Sequence, residues 1–340
     1  MPSDYTQFEQ RKQDHISLAL LQENQATEAH GFDAIELVHE ALPDLNFDEL
    51  SLKSKRLGQE VVSPFMVASM TAGHQRGVAI NDHLMSACAI TGWAMGVGSQ
   101  RRELSDETAA EEWRVLRKKY PDVCMYSNIG IAQIIATPIA HLQRLTETLD
   151  AAGLIVHCNP LQECIQPEGT PQFKGCWDAL AHLVRVFKLP IIVKETGCGF
   201  SKETLARLND LGIAAVDVSG LGGTHWGRIE GQRAPGFRQK VSTTFRNWGI
   251  DTVRAVCSAS DLNPTFEIWG SGGVRHGLDA AKLFALGAHT VAFAKPMLEA
   301  AIDSSDAVVE AMRLIEYELK VAMFCTGSRV VDDLKEKWRC

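Results

Sequence analysis

From residue 60 onward the chain alternates between short apolar runs and segments patterned for helix. The runs are Pro64–Met70, Trp93–Ser99, Val123–Ile129, Leu154–Asn159, Pro190–Thr196, Ala214–Gly220, Phe266–Val274 and Thr290–Pro296. Each is apolar at nearly every position rather than every second one, the pattern of parallel strands covered on both faces. The intervening segments carry helix ends. Thr137-Pro138 reads as an N-cap followed by proline at the first helical position, with Gly153 closing that segment. Ser201 caps Lys202–Leu211 and Gly212 ends it, while Gly277–Leu286 stops at Gly287. Eight β-then-α units predict an α/β fold of the (β/α)8 TIM-barrel type. A doubly wound open sheet is the competitor, and no G-x-G-x-x-G follows the first strand to favour it.

Two segments fall outside the repeat. Residues 1–60 are expected to form an N-terminal extension of a single domain whose barrel spans residues 61–335. About 45 residues separate the sixth and seventh runs, long for one connection and therefore expected to be functional. The polar stretch from Thr224 to Thr244 within it is expected to be mobile until substrate binds.

Composition narrows the class. With 45% hydrophobic and 22% charged residues the chain can bury a large core, which excludes a disordered protein. A net charge of −8 with no basic tract argues against nucleic acid as a partner. No apolar run approaches the roughly 20 residues needed to cross a bilayer. The start, Met1-Pro2-Ser3-Asp4, lacks the basic and apolar regions of a signal peptide, so a cytoplasmic location is expected. None of the nine cysteines forms a C-x-x-C pair, and reduced thiols used as small core residues are the expectation.

In a barrel, chemistry collects at the C-terminal strand ends. Here each run closes on polar groups: Ser69-Met70-Thr71, Ser99-Gln100-Arg101, Ser127-Asn128, His157-Cys158-Asn159, Lys194-Glu195, Asp217-Val218-Ser219, Ser271-Gly272-Gly273 and Ala294-Lys295. Chance gives one or two such endings, and eight predict a site. Ser-Gly-Gly ahead of a helix, with Ala294-Lys295 beside it, suits a phosphate, because backbone N–H groups are approachable and the helix dipole favours an anion. Lys194 reads either as a cation in the mouth or as one half of a buried pair with Glu195 or Asp217. His157, followed by Asn159, Gln162 and Glu163, predicts a hydrogen-bonding cluster rather than an isolated core histidine. Glu163 alone cannot cage calcium but could hold Mg2+, whose other ligands would be water and phosphate oxygens. Arg11, Lys12 and Arg101 offer cations for a diphosphate.

These residues resemble a known family. Arg11-Lys12-x-Asp14-His15, Ser69-Met70-Thr71, Gly98-Ser99-Gln100-Arg101, His157-x-Asn159-x-x-Gln162-Glu163-x-x-Gln166-Pro167-Glu168-Gly169 and Val193-Lys194-Glu195 are similar to the type 2 isopentenyl-diphosphate isomerases. Ser219-Gly220-x-Gly222-Gly223-Thr224-x-Trp226-x-x-Ile229-Glu230 and Ser271-Gly272-Gly273-x-Arg275 extend the likeness over nearly the whole chain. It implies an FMN-dependent barrel needing Mg2+ and a reducing nicotinamide, usually NADPH. Such an enzyme interconverts isopentenyl and dimethylallyl diphosphate with no net redox change, as a homo-oligomer of four or eight copies. By the same resemblance, FMN would contact Ser69, Met70, Thr71, Ser99, Asn128, Lys194, Ser219, Thr224, Gly272, Gly273, Ala294 and Lys295. Substrate would contact Arg11, Lys12, His15, Ser99, Gln100, Arg101 and Gln162. Glu163 would take the metal, and Gln162 and His157 would serve the reaction, with reduced FMN as the acid–base catalyst. Ala72, Thr170 and His225 depart from the usual pattern of the family.

Two alternatives share parts of this pattern. An FMN-dependent 2-hydroxy acid oxidase needs a histidine base after the sixth strand, where this chain has Leu221. A non-catalytic flavin-binding barrel would not need Arg11, Lys12, Gln162 and Glu163 together.

Overall fold

The structure, a computed structural model, describes residues 4–70 and 75–339. Eight parallel strands close into a barrel: β1 (Phe65–Val67), β2 (Ala94–Gly96), β3 (Met125–Gly130), β4 (Gly153–Cys158), β5 (Ile191–Glu195), β6 (Ala215–Asp217), β7 (Glu267–Gly270) and β8 (Thr290–Phe293). Every predicted run supplies one strand, and β8 pairs with β1 to complete the ring.

Side chains on the strands divide between two cores. Met66, Ala94, Tyr126, Ile155, Ile192, Ala215, Trp269 and Ala292 fill the barrel interior. There Tyr126 meets Trp269 edge to face at 5.3 Å. Their neighbours Phe65, Val67, Met95, Val156 and Val291 point outward to pack under the helices. Coverage on both faces is why the strands read as unbroken apolar runs. Below the interior layer, the hairpin of residues 54–61 closes the N-terminal end. Arg56 lies buried there, donating to Thr290 Oγ1 at 3.2 Å and to the carbonyls of Ser63 and Phe65 at 3.2 and 2.9 Å. That leaves the C-terminal end as the open mouth.

Helix boundaries match the predictions where a cap side chain bonds the backbone. Ser201 Oγ accepts from Thr204 N at 3.2 Å ahead of the helix Lys202–Asp210. Gly212 and Gly287 take φ of +73° and +103° after their helices. Gly153, expected to end a helix, instead opens β4. The helix Ile139–Leu149 stops four residues earlier, with Asp150 in the left-handed region at φ +45°. Gly153 serves packing, since a Cβ there would come within 2.8 Å of Ile192 Cδ1 and 3.0 Å of the Pro190 carbonyl.

The N-terminal segment crosses the mouth. Helix α1 (Asp4–Leu20) places Arg11, Lys12, His15, Ile16 and Ala19 on the cavity beneath it. Gln25 continues the docking by bridging to Thr224, and Glu36–Leu37 pairs antiparallel with Trp338–Arg339 near the other end of the chain. The long β6–β7 connection builds helices α2 (Trp226–Arg233) and α3 (Phe237–Thr244) before the helix Thr252–Ser260. No described helix is long and apolar enough to cross a membrane. The described cysteines form no disulfide, and burial pushes the Cys158 and Cys198 thiols up, away from nucleophilic use.

Candidate active site

The strand endings and α1 enclose one cavity that gathers almost every predicted site residue. Ser69, Met70, Ser99, Asn128, Lys194, Ser219, Thr224, Gly272, Gly273, Ala294 and Lys295 line it from the predicted cofactor set. Arg11, Lys12, His15, Arg101, Gln162, Glu163 and His157 join them. Thr71, with Ala72, lies outside the described residues. Gln100 is near the site without lining it. It is 1% exposed and turned into the wall, where its Nε2 donates to Glu103 Oε2 at 3.0 Å and the Leu145 carbonyl at 3.3 Å. Ser99 faces the cavity and the next residue turns away from it.

Arg11, Lys12, Arg101, Lys194, Arg275 and Lys295 surround the cavity, with Glu163 the carboxylate among its lining residues. The surface charge is therefore reversed at the mouth, as an anionic ligand requires. Burial pulls Lys12 down to about 7, and the neighbouring Arg11 charge adds to the effect. Lysine at that value gains an incentive to bind an anion, which would restore its proton.

Lys194 combines both readings made of it. Its Nζ donates to Asp217 Oδ2 at 2.7 Å and to Ser271 Oγ at 3.2 Å, and Ser271 Oγ donates to Asp217 Oδ1 at 2.6 Å. The ends of β5, β6 and β7 are thus linked by one buried network. Glu195 points elsewhere: its Oε2 accepts from the backbone N–H of Thr196, Gly197 and Cys198 and so shapes the β5 loop.

The loops after β6 and β7 fit only as glycine. A Cβ on Gly272, at φ +97°, would meet the Gly220 carbonyl at 2.2 Å. One on Gly223 would meet the Gly273 nitrogen at 2.6 Å. The helix ahead of which Ser271-Gly272-Gly273 lies begins at Gly277, as predicted, with three residues between them. The nearer helix start is at Lys295, with Ala294 as its N-cap and Pro296 in its first turn, so the dipole argument rests on that end.

Around Gln162 the structure builds an arrangement that the sequence reading missed. Glu230, fully buried on α2, accepts at Oε1 from Gln162 Nε2 at 3.0 Å and pairs with His15 Nε2 at 2.8 Å. Its Oε2 takes Arg233 Nη1 at 2.6 Å. Arg233 also reaches Glu168 Oε1 at 2.9 Å and Asp14 Oδ2 at 3.5 Å. Burial pushes the Glu230 carboxyl up, but the bonds from His15 and Gln162 and the Arg233 charge more than offset it. The signal available was Glu230 and Arg233 at helical i,i+3 spacing in the long connection. Glu163 accepts from Asn159 Nδ2 at 3.0 Å and from the Thr170 backbone N–H. Thr170, an acidic position in the family pattern, here also takes Arg101 Nη1 on its hydroxyl at 3.3 Å.

Of the other two departures, Ala72 lies outside the described residues and His225 is structural. His225 is buried, capping α2 by accepting from Arg228 N at 3.2 Å, while its Nε2 bonds the Trp248 carbonyl at 3.2 Å. Leu221, where an oxidase would hold its base, is 4% exposed.

Comparison with known proteins agrees with this geometry. Residues 157–339 match the family model described as FMN-dependent dehydrogenase. The isopentenyl-diphosphate delta-isomerase of Legionella pneumophila (strain Corby) is 65% identical over 99% of both chains. That of Bdellovibrio bacteriovorus is 49% identical over 99% of both, and that of Halobacterium salinarum 43% over 98% of this chain and 93% of its own. Among solved structures, a flavocytochrome b2 variant superposes with a TM-score of 0.70 at 18% identity, covering 97% of this chain and 82% of its own. A mandelate oxidase variant gives 0.66 at 17%, covering 99% and 98%. At those identities the likeness is one of fold. The chain belongs to the isopentenyl-diphosphate delta-isomerases, in the type 2, FMN-dependent branch.

Proposed function

We propose that this protein interconverts isopentenyl and dimethylallyl diphosphate by a 1,3-allylic proton shift, in isoprenoid biosynthesis. The observation that carries the reading is the union of two sites in one cavity: a flavin cradle on the strand ends and a cationic anchor on α1 above it. A 2-hydroxy acid oxidase would need a histidine base where this chain has Leu221.

The residues present fit FMN. Ser69 Oγ is buried and has no hydrogen-bond partner among the described residues. Gly96 leaves room beside it, since a Cβ there would approach that oxygen to 2.4 Å. Ser69, Met70, Thr71, Ser99, Asn128, Lys194, Ser219 and Thr224 would hold the ring system, and Gly272, Gly273, Ala294 and Lys295 the phosphate. Reduced FMN, when bound, supplies a proton and an electron-rich face to an otherwise unreactive alkene. Arg11, Lys12, His15, Ser99 and Arg101 would anchor the diphosphate, with Gln100 acting from behind the wall. Glu163 would bind Mg2+ as its one protein carboxylate, the remaining ligands being water and diphosphate oxygens. Gln162, held by the ionised Glu230, would fix the reacting end, and α1 would exclude water from it. NADPH would keep the flavin reduced. A homo-oligomer and a cytoplasmic location complete the proposal.

The test is anaerobic incubation of isopentenyl diphosphate with the protein, FMN, Mg2+ and NADPH. The expected result is dimethylallyl diphosphate. A protein that binds FMN yet forms none of that product would refute the function.

A further inference from the structure

His157 is gripped from behind by hydrogen bonds that determine which ring nitrogen carries its proton. Its Nδ1 lies 2.9 Å from Asn128 Oδ1. The Asn128 amide cannot be turned round, because its Nδ2 donates to the Val97 carbonyl at 3.0 Å. Reversal would set oxygen against oxygen there. An amide oxygen only accepts, so His157 Nδ1 must be the donor. Behind Asn128, Gln100 Oε1 accepts from the Asn128 backbone N–H at 3.1 Å. Gln100 is oriented in turn by its two donations, to Glu103 and to the Leu145 carbonyl. Gln100 and Asn128 are 1% and 4% exposed, so water does not compete for these bonds.

We propose that Gln100 and Asn128 are positioning residues that hold His157 as the neutral Nδ1–H tautomer, with the Nε2 lone pair presented to the cavity. Nε2 lies beside Gly130, where a Cβ would stand 3.1 Å from it, and Gln133 borders the same space. Lys12 and Lys194 are the cations facing the ring, and burial with their charge pulls its pKa down to about 3. Burial pushes the Glu103 carboxyl up to about 8, which reduces the negative charge behind the imidazole.

The consequence is chemical. An ionised diphosphate oxygen accepts hydrogen bonds, as the neutral ring's Nε2 does, so a neutral His157 offers the diphosphate no donor. Its partner is an N–H or ammonium group, and Lys12 lines the same cavity. This assignment of the partner rests on the isomerase reading, whereas the tautomer does not, because it is set before substrate enters.

The experiment uses the full FMN-loaded protein labelled with 15N in the histidine rings. Long-range 1H–15N spectra are recorded between about pH 5 and 8, where an ordinary histidine changes charge. The His157 signals are identified by their loss in His157→Gln. The expected result is a protonated Nδ1 and a bare Nε2 throughout. An Nε2–H tautomer, or titration within that range, overturns the proposal. Asn128→Asp, which sets a carboxylate behind the ring, is expected to bring His157 titration into the range. Asn128→Ala and Gln100→Leu are each expected to give a tautomer mixture, with Gln100→Leu still showing bound flavin by visible-absorption titration and Asn128→Ala, at a flavin contact, recorded at saturating FMN. An unchanged His157 tautomer in both overturns the positioning role. Should those variants fail to fold, the parent spectra decide alone. A failed isomerase assay would leave all of these spectra as they are, so the two readings fall separately.

Discussion

Arg233→Met removes a single guanidinium that serves three carboxylates from separate parts of the chain: Asp14 on α1, Glu168 after β4, and Glu230 on its own helix. The three are unequal. The Glu230 side chain is 0% exposed and that of Arg233 8%, so the variant leaves a buried carboxylate short of one partner. Breaking such a pair from one side costs about 3–5 kcal/mol. Glu168 and Asp14 are 25% and 34% exposed, where water takes over and each contributes below about 1 kcal/mol. The expected loss in unfolding free energy at neutral pH is therefore about 3–5 kcal/mol, read from urea titrations. The pH dependence has a definite sign. The Glu230 carboxyl is held low in the folded protein, so its stabilisation is present above the unfolded carboxylate pKa and lost as pH falls. Without Arg233 that loss sets in at higher pH. Glu230→Gln in the Arg233→Met background should recover most of the deficit, since it removes the stranded charge. Additivity of the two substitutions within about 0.5 kcal/mol would refute the coupling.

Other outcomes follow from the same geometry. Lys12, with a pKa brought to about 7 by burial and by Arg11, loses its charge through neutrality. kcat/KM for isopentenyl diphosphate should then fall as pH rises above about 7, and Lys12→Arg should move that inflection to higher pH. Glu163→Gln should raise the Mg2+ concentration for half-maximal activity at least roughly tenfold with flavin affinity intact. Unchanged Mg2+ dependence would remove Glu163 from the metal. Gly272→Ala combines φ +97° with a Cβ 2.2 Å from the Gly220 carbonyl. It should weaken FMN binding at least about tenfold, since the backbone conformation alone costs roughly 1–2 kcal/mol. Gly58→Ala, at φ +76° in open space on the hairpin at the opposite end of the barrel, should leave flavin affinity unchanged.

The barrel was legible because burial on both faces writes each strand as an unbroken apolar run, a signal that needs no partner to read. The mouth was legible for the same reason in reverse, since polar groups interrupt eight apolar runs at one end. Direction at those ends was not. Ser99 and Gln100 are both polar and adjacent, yet one faces the cavity and the other the wall, and only the positions of Asn128 and Leu145 decide which. Glu230 and Arg233 received no role because their i,i+3 spacing marks only a helical pair, while the partners that define them, His15 and Asp14, lie far away in the chain. Gly153 shows a local rule yielding to packing: glycine looked like a helix stop, while β4 needed it to approach Pro190 and Ile192. The polar stretch between Thr224 and Thr244 folds as α2 and α3, with Trp226 set edge-on against His15 at 5.0 Å. Its polarity reflects helix surface that faces solvent, since residues 237–240, 243 and 244 are exposed.

The central claim is that a flavin barrel here performs a reaction with no net redox change. The most direct measurement is the stoichiometry of product to reductant under anaerobic conditions, with limiting NADPH and excess isopentenyl diphosphate. Dimethylallyl diphosphate should accumulate far beyond the NADPH consumed, with one solvent deuteron entering the product in D2O. Consumption of one NADPH for every product molecule would contradict it.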